Sequence, residues 1–389
     1  MRKHESSEVS DYLEAVVSEI GFKEARDAVR IEMNSHIEES IEAAKSFGLS
    51  EARALEISLA KMGAPDLIGQ RLNQIHRPKI DLILAALLVG LCAVGLWNLS
   101  STKWISLQIV WITIGASVLP AIYFLPIIKL RNVLASLYPL AILGLVASYF
   151  SGVTANGQPY LSLFGINLKI VDLSAVLFSL ALPALATFPR QLRLSTLSTV
   201  TFFVAPLTYF LLSGFIWAGL LLLVSGLCFL GHQKISDLML TIIGVVGAGL
   251  LLLKIPEGLV PVSEMNKAVA TEAHTDYVLR SLSSAHGFES IAFALLTALV
   301  IYGLKASLSV KEPVLRSLAI VSASLISVQI IASVLANLGV IPMLQAGINI
   351  PFMSYGGSGV LANFLIIAVL LACLKRKTLT VVDAWSAPE

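Results

Sequence analysis

Charged residues are scarce in this chain: Asp, Glu, Lys and Arg make up 13% of its 389 residues, against about 25% in soluble domains. The shortage begins near Ile80, after which apolar runs of roughly 20 residues alternate with short polar segments. Such runs match the ~30 Å hydrocarbon core of a bilayer, and lipid offers the backbone no hydrogen-bond partners. We therefore predict an all-α, polytopic membrane protein and exclude an outer-membrane barrel, whose alternating pattern is absent.

Cysteine is also rare, since Cys92, Cys228 and Cys373 are the only three and each lies in a separate apolar run. This spacing argues against a disulfide framework or a cysteine metal cluster. The net charge of +2 is too small to indicate a nucleic-acid partner. No signal peptide is expected, because Met1 to His76 contains no apolar core of about 7–15 residues.

The charged N-terminal part, residues 1–78, has the periodicity of a small helical domain. Glycines end three of its four predicted helices. The helices are predicted over 9–20, 23–47, 51–62 and 65–75. The pattern resembles the permease-prefix domain that precedes the first span of some membrane proteins. We expect this domain to be cytoplasmic and to regulate the chain or bind a partner.

About ten membrane spans are predicted within residues 79–378, and residues 379–389 are expected to form a short cytoplasmic tail. The spans are placed near 81–99, 105–128, 133–150, 171–188, 195–212, 214–231, 236–254, 288–306, 315–337 and 355–374. Basic residues cluster in alternate loops, which the positive-inside rule assigns to the cytoplasm. They are Arg77, Lys79, Lys129, Arg131, Arg190, Arg193, Lys234, Lys305, Lys311, Arg316, Lys375, Arg376 and Lys377. Both termini are therefore predicted to be cytoplasmic, in the plasma membrane.

A segment rich in Gly and Pro precedes the last span and reads AGINIPFMSYGGSG from Ala346 to Gly359. Pro351 prevents a continuous helix, and the paired glycines permit backbone conformations that other residues resist. The string resembles the C-terminal signature of the SEDS family (shape, elongation, division and sporulation), which includes the FtsW, RodA and SpoVE proteins. The resemblance implies a substrate-binding segment formed by Ser354, Tyr355, Gly356, Gly357 and Ser358.

A second resemblance lies in the long outer loop predicted over 255–287, where EAHTDYVL runs from Glu272 to Leu279. It is similar to the family motif P-E-x-H-T-D-F-I-F, whose Asp is the proposed catalytic residue of glycan-strand polymerisation. That role falls on Asp276. By the same resemblance, Glu272, His274 and Thr275 are expected to contact substrate.

The family resemblance also implies the substrate, lipid II, and a class B penicillin-binding protein as partner, besides the membrane lipids. A carboxylate near the membrane surface suits a general base, because partial desolvation raises its pKa towards neutrality. Lys254, Lys267 and Arg280 are candidates to contact the leaving pyrophosphate. A divalent cation, Mg²⁺ or Mn²⁺, is an alternative source of that positive charge, although no metal-ligand cluster is visible.

Several positions depart from the family pattern. The family's Q-P-S-E-x-x-K stretch in the fourth span is replaced by residues 169–175. Asp172 is the candidate to replace the family's Glu, and no Lys follows it. The acid of the fifth-span P-D-L-G is missing after Pro206. The part of the outer loop that precedes Asp276 is also shorter than in typical family members.

Several functions therefore stay open. A non-catalytic scaffold or regulator of cell-wall synthesis is the main alternative to a glycosyltransferase. A lipid II flippase ranks lower, because few ionisable residues lie within the spans. A secondary transporter also ranks lower, because the sequence shows no evident inverted repeat.

Overall fold

A computed structural model of the chain describes residues 7–100, 102–150, 153–155, 158–163, 166–185, 196–232, 259–260, 278–279, 282, 289–338, 343–344 and 349–379. The chain divides into two compact units. One, called here the N-terminal unit, comprises Met1–Ile80 together with Arg376–Glu389, and the other, the membrane unit, comprises Asp81–Lys375.

The N-terminal unit contains the four helices that the sequence predicts, with ends shifted by two residues or fewer. They are α1 (Ser7–Ser18), α2 (Lys23–Ser46), α3 (Glu51–Met62) and α4 (Pro65–His76). Their apolar faces form two buried clusters. One contains Val9, Leu13 and Ile37; the other contains Val16, Ile20, Ala25, Val29 and, from the far end of the chain, Leu379.

Close helix contacts and polar bonds fix the arrangement of the N-terminal unit. A Cβ atom at Gly69 would lie 2.6 Å from the carbonyl oxygen of Val16. The close approach of α4 to α1 therefore requires a residue without a side chain at this position. The Tyr12 hydroxyl donates to the carbonyl of Gly63 at 3.1 Å. Burial raises the pKa of Tyr12 above its ordinary value.

The membrane unit is built from nine apolar helices within the described residues. These are α5 (Leu82–Leu99), α6 (Ile105–Tyr123), α7 (Ile127–Phe150), α8 (Ile170–Leu185), α9 (Thr196–Leu212), α10 (Ile216–His232), α11 (Glu289–Leu308), α12 (Pro313–Asn337) and α13 (Gly357–Lys375). Six are long and apolar enough to cross a bilayer unaided, and three shorter ones are apolar. The predicted span 236–254 lies outside the described residues.

Large apolar side chains remain exposed on the peripheral helices, as expected where lipid replaces water as the solvent. Tyr149 and Phe150 of α7 are 77% and 86% exposed. By contrast, 72% of the residues in the most apolar 18-residue stretch of α12 are buried, and the same holds for α13. These two helices therefore lie in the centre of the unit. The chain is thus a multi-pass, all-α membrane protein, which confirms the predicted fold class.

One predicted loop is misplaced. The sequence-based spans leave residues 129–132 between the second and third helices, whereas α6 ends at Tyr123 and α7 already begins at Ile127. Lys129 and Arg131 therefore lie in the first turns of α7 rather than in a loop. Pro126 explains the shift, because proline is tolerated just before or at the start of a helix but lacks the N–H needed to continue one.

Two small strand pairings, which the sequence did not predict, lie among the helices. The strands β1 (Val153–Ala155), β2 (Gln158–Leu163) and β3 (Ile166–Leu168) form an antiparallel sheet between α7 and α8. The strands β4 (Leu259–Val260) and β5 (Met343–Leu344) also pair antiparallel. This second pairing joins the start of the long predicted loop to the segment that precedes α13.

Candidate functional site

A tight turn over Ile350–Ser354 lies just before α13. The backbone N–H of Ser354 donates to the carbonyl of Ile350 at 3.1 Å, and the N–H of Ile350 donates to Ser354 Oγ at 2.8 Å. These reciprocal bonds close the turn, and Ser354 is 3% exposed. Phe352 adopts φ +67°, an uncommon conformation for a residue with a side chain. Such backbone strain persists only where surrounding contacts hold it in place.

Three helices of the membrane unit hold this turn. From α6, Gln108 Nε2 donates to the carbonyl of Ser354 at 3.2 Å. From α12, Ser333 Oγ donates to the carbonyl of Asn349 at 3.1 Å. From α5, Gly95 approaches the turn so closely that a Cβ atom there would lie 2.7 Å from Met353 Cα. The turn is therefore packed as part of the core.

The two glycines after the turn are required for different structural reasons. Gly356 adopts φ +155°, which residues with a Cβ atom rarely adopt. Gly357 begins α13, and a Cβ atom there would lie 2.3 Å from the indole ring of Trp111. Tyr355, between turn and glycines, packs its ring 4.9 Å from that of Trp104. The predicted substrate-binding residues 354–358 thus form one structured segment.

An ion pair lies beside this segment. Lys169 Nζ is 2.7 Å from Asp172 Oδ2, and the two side chains are only 12% and 21% exposed. The backbone N–H of Lys169 donates to Ser358 Oγ at 3.1 Å, which joins the pair to the start of α13. Asp172 lies in the first turn of α8, where the helix dipole favours a negative charge.

The pair has the chemical character of a binding site. Asp172 Oδ1 is buried and has no hydrogen-bond partner within the described part of the chain. A buried carboxylate oxygen without a donor is costly, so it is suited to accept a hydrogen bond from a hydroxyl-bearing ligand. The neighbouring Lys169 ammonium is suited to an anionic oxygen. Together with residues 354–358, Lys169 and Asp172 form what we call the α8–α13 site.

The other predicted site residues lie outside the described residues: Lys254, Lys267, Glu272, His274, Thr275, Asp276 and Arg280. Two neighbours of Asp276 are described, Val278 and Leu279, and both are helical and buried. Pairing of β4 with β5 also joins the loop that leads to Asp276 to the segment that leads into the turn. These predicted roles stay predictions.

Sequence reasoning missed Lys169 as a site residue. The family pattern places a Lys three residues after the acid, whereas position 175 of this chain is Ala. The structure forms the pair with a Lys three residues before the acid instead. The signal was present, because residues three apart at a helix start lie close enough to pair.

No group of three His, Cys, Asp or Glu side chains that could hold a metal lies together among the residues described. None of the three cysteines, all of which are described, forms a disulfide.

Comparison with known proteins finds sequence similarity over the C-terminal part of the chain. Residues 260–379 match the model of the FtsW/RodA/SpoVE family, described as cell cycle proteins. The chain is 31% identical over 102 residues to a probable peptidoglycan glycosyltransferase FtsW of Geobacter sulfurreducens. It is 29% identical over 100 residues to the peptidoglycan glycosyltransferase RodA of Mycobacterium tuberculosis. These matches span 26% and 25% of this chain, and 27% and 21% of those relatives' lengths.

The fold extends the similarity well beyond the matched sequence. The rod shape determining protein RodA of Thermus thermophilus superposes with a TM-score of 0.61 at 18% identity. The superposition covers 77% of this chain and 98% of that one. A chain from a peptidoglycan synthase complex, solved in a study of coordinated polymerisation and crosslinking, superposes equally well, with a TM-score of 0.61 at 18% identity and the same coverage.

Proposed function

We propose that the chain is a member of the SEDS family and a peptidoglycan glycosyltransferase that polymerises lipid II into glycan strands. The observation that carries this proposal is the family match over residues 260–379, which includes both Asp276 and the turn before α13. The relatives named as glycosyltransferases support it. The reaction joins the sugar of one lipid II to the end of a growing strand and releases the lipid pyrophosphate.

The chemistry requires a base and a positive charge. A hydroxyl oxygen of the acceptor sugar attacks the anomeric carbon of the donor, and the bond from that carbon to the pyrophosphate breaks. We assign Asp276 as the base that takes the hydroxyl proton. Lys254, Lys267 and Arg280 are candidates to stabilise the pyrophosphate, and a bound Mg²⁺ or Mn²⁺ would supply the same kind of charge.

The α8–α13 site supplies a second charged region for the substrate. The open oxygen of Asp172 suits a sugar hydroxyl, and the Lys169 ammonium suits an anionic oxygen. Its low exposure strengthens both interactions, because charges act more strongly away from bulk water. Glu272, His274 and Thr275 are assigned to substrate contacts by family resemblance alone.

We further propose that the protein lies in the plasma membrane with both termini in the cytoplasm. The basic residues at alternate helix ends support this orientation. A second, independent argument is the contact of Arg376, which follows α13, with Glu24, which precedes α5. Two residues in direct contact lie on the same side of a bilayer, so the number of crossings between them is even.

A class B penicillin-binding protein is the proposed partner. The superposition on a chain from a peptidoglycan synthase complex supports this choice. The enzyme would then extend glycan strands while its partner crosslinks them, in division, elongation or sporulation.

A non-catalytic scaffold or regulator with the same fold is the second candidate. A specific observation favours it: the family's fifth-span acid corresponds here to Leu207, which is 2% exposed in an apolar environment. A buried leucine in place of an acid removes a functional charge without cost to the fold. In that case the N-terminal unit would be the principal site of function.

The test is polymerisation of labelled lipid II by the purified chain, alone and with class B partners, in Mg²⁺, Mn²⁺ and a chelator. We expect glycan strands from the wild type and none from Asp276→Ala. Strands that persist in that variant would remove Asp276 as the base. Absence of strands under every partner and metal condition would favour the scaffold.

A further inference from the structure

The segment Arg376–Leu379, which begins immediately after α13, is bound by the N-terminal unit. Arg376 is fully buried, with 0% exposure. Its Nε donates to Glu24 Oε2 at 2.6 Å, and its Nη2 donates to Glu24 Oε1 at 2.8 Å. Two parallel charge-assisted bonds of this kind give both strength and a fixed orientation. One of the basic residues that the positive-inside rule assigns to the cytoplasm is therefore a core residue of this unit.

An apolar contact accompanies the ion pair. The backbone N–H of Leu379 donates to the carbonyl of Arg376 at 3.0 Å, so the segment makes a single turn. Leu379 is 1% exposed and lies in the cluster formed by α1 and α2. Thr378 Oγ1 lies 3.4 Å from His76 Nδ1 of α4. The segment therefore contacts three of the four helices of the unit.

We propose that the N-terminal unit contains a binding site for an Arg-x-x-Leu segment, and that residues 376–379 of the same chain occupy it as a clasp. Glu24 forms the charged part of the site and the cluster around Val16 and Val29 forms the apolar part. The fold of the N-terminal unit is then completed only by residues made after the last span. A buried carboxylate or guanidinium without its partner is strongly destabilising, so release of the segment loosens the unit.

This contact joins a residue that precedes α5 to a residue that follows α13. Arg376 follows directly after Lys375, the last residue of α13, so the clasp and this helix are adjacent along the chain. α13 begins at the α8–α13 site. Anything that binds the N-terminal unit in place of residues 376–379 would free the end of this helix. The clasp does not depend on which chemistry the membrane unit performs.

Hydrogen exchange of the full chain in detergent, followed by mass spectrometry, tests the clasp. We expect Arg376→Glu and, separately, Leu379→Ala to speed amide exchange in α1 and α2 by about tenfold or more, with exchange in α12 unchanged. The matched control is Lys377→Glu, since Lys377 is exposed and adjacent. We expect it to leave exchange in α1 and α2 as in the wild type.

A charge exchange adds a second measurement. Combining Glu24→Arg with Arg376→Glu restores opposite charges across the same contact, so we expect slower exchange in α1 and α2 than in either single variant. Wild-type exchange rates in both Arg376→Glu and Leu379→Ala would overturn the proposal. Equal acceleration in Lys377→Glu would also overturn it, because the effect would then not belong to the buried contacts.

Discussion

Gly95 of α5 offers a quantitative test of how the turn before α13 is held. A Cβ atom at this position would lie 2.7 Å from Met353 Cα and 2.8 Å from the carbonyl oxygen of Phe352. Both are backbone atoms, so neither can move by a change of rotamer. Gly95→Ala therefore forces α5 and the turn apart, and such overpacking typically costs about 1–3 kcal/mol.

Gly303 of α11 provides the matched control. A Cβ atom there would have no neighbour within 4 Å. Alanine in a helix interior is favoured over glycine by about 1 kcal/mol, and both variants receive this gain. The difference between Gly95→Ala and Gly303→Ala thus isolates the clash with the turn.

The assay is the apparent Tm of the purified variants in one detergent, by fluorescence-detected thermal unfolding. At about 2–4 °C per kcal/mol, Gly95→Ala should unfold roughly 2–12 °C below Gly303→Ala. It should also lose polymerase activity if the turn positions residues 354–358. Equal Tm values for the two variants would show that α5 does not restrain the turn, and would refute the packing argument.

Three further predictions concern separate contacts. Ser354→Ala leaves the buried N–H of Ile350 without its acceptor and should lower the free energy of unfolding by about 1–3 kcal/mol, measured as a fall in apparent Tm; no change would mean the turn is closed by other bonds. Tyr302→Phe removes a 2.6 Å bond to Asp81, so its effect on Tm should largely vanish in an Asp81→Asn background, whereas additive effects would contradict the contact. Removing residues 1–75 should leave membrane insertion intact, as assayed by fractionation, and a chain that fails to insert would contradict an independent membrane unit.

Local and solvent-driven features of the fold could be predicted from the sequence. The span boundaries follow from hydropathy because lipid imposes a minimum apolar length and forces helix formation. The main error there came from Pro126, where an apolar run continues although the helix is interrupted. The strands β1–β3 were missed because each strand of this small sheet is short and adds little apolar periodicity.

Long-range contacts could not be predicted. The sequence shows that Lys169 precedes Asp172 by three residues, a spacing that allows an ion pair. Nothing in the local sequence indicates that the backbone N–H of Lys169 donates to Ser358, 189 residues later. From the sequence, Arg376 is only one of the basic residues that the positive-inside rule assigns to the cytoplasm. Its burial depends on Glu24, 352 residues away, and charge counts contain no information on such pairing.

The most direct test of the proposed site compares lipid II polymerisation by the wild type, Lys169→Met and Asp172→Asn, each with the same class B partner. Lys305→Met, an exposed lysine in the last turn of α11, is the control for loss of one positive charge. If the α8–α13 site binds substrate, both site variants should lose about 10²-fold or more in rate while keeping near-wild-type yield in the membrane. Wild-type rates in both variants would contradict a role for this ion pair in the reaction.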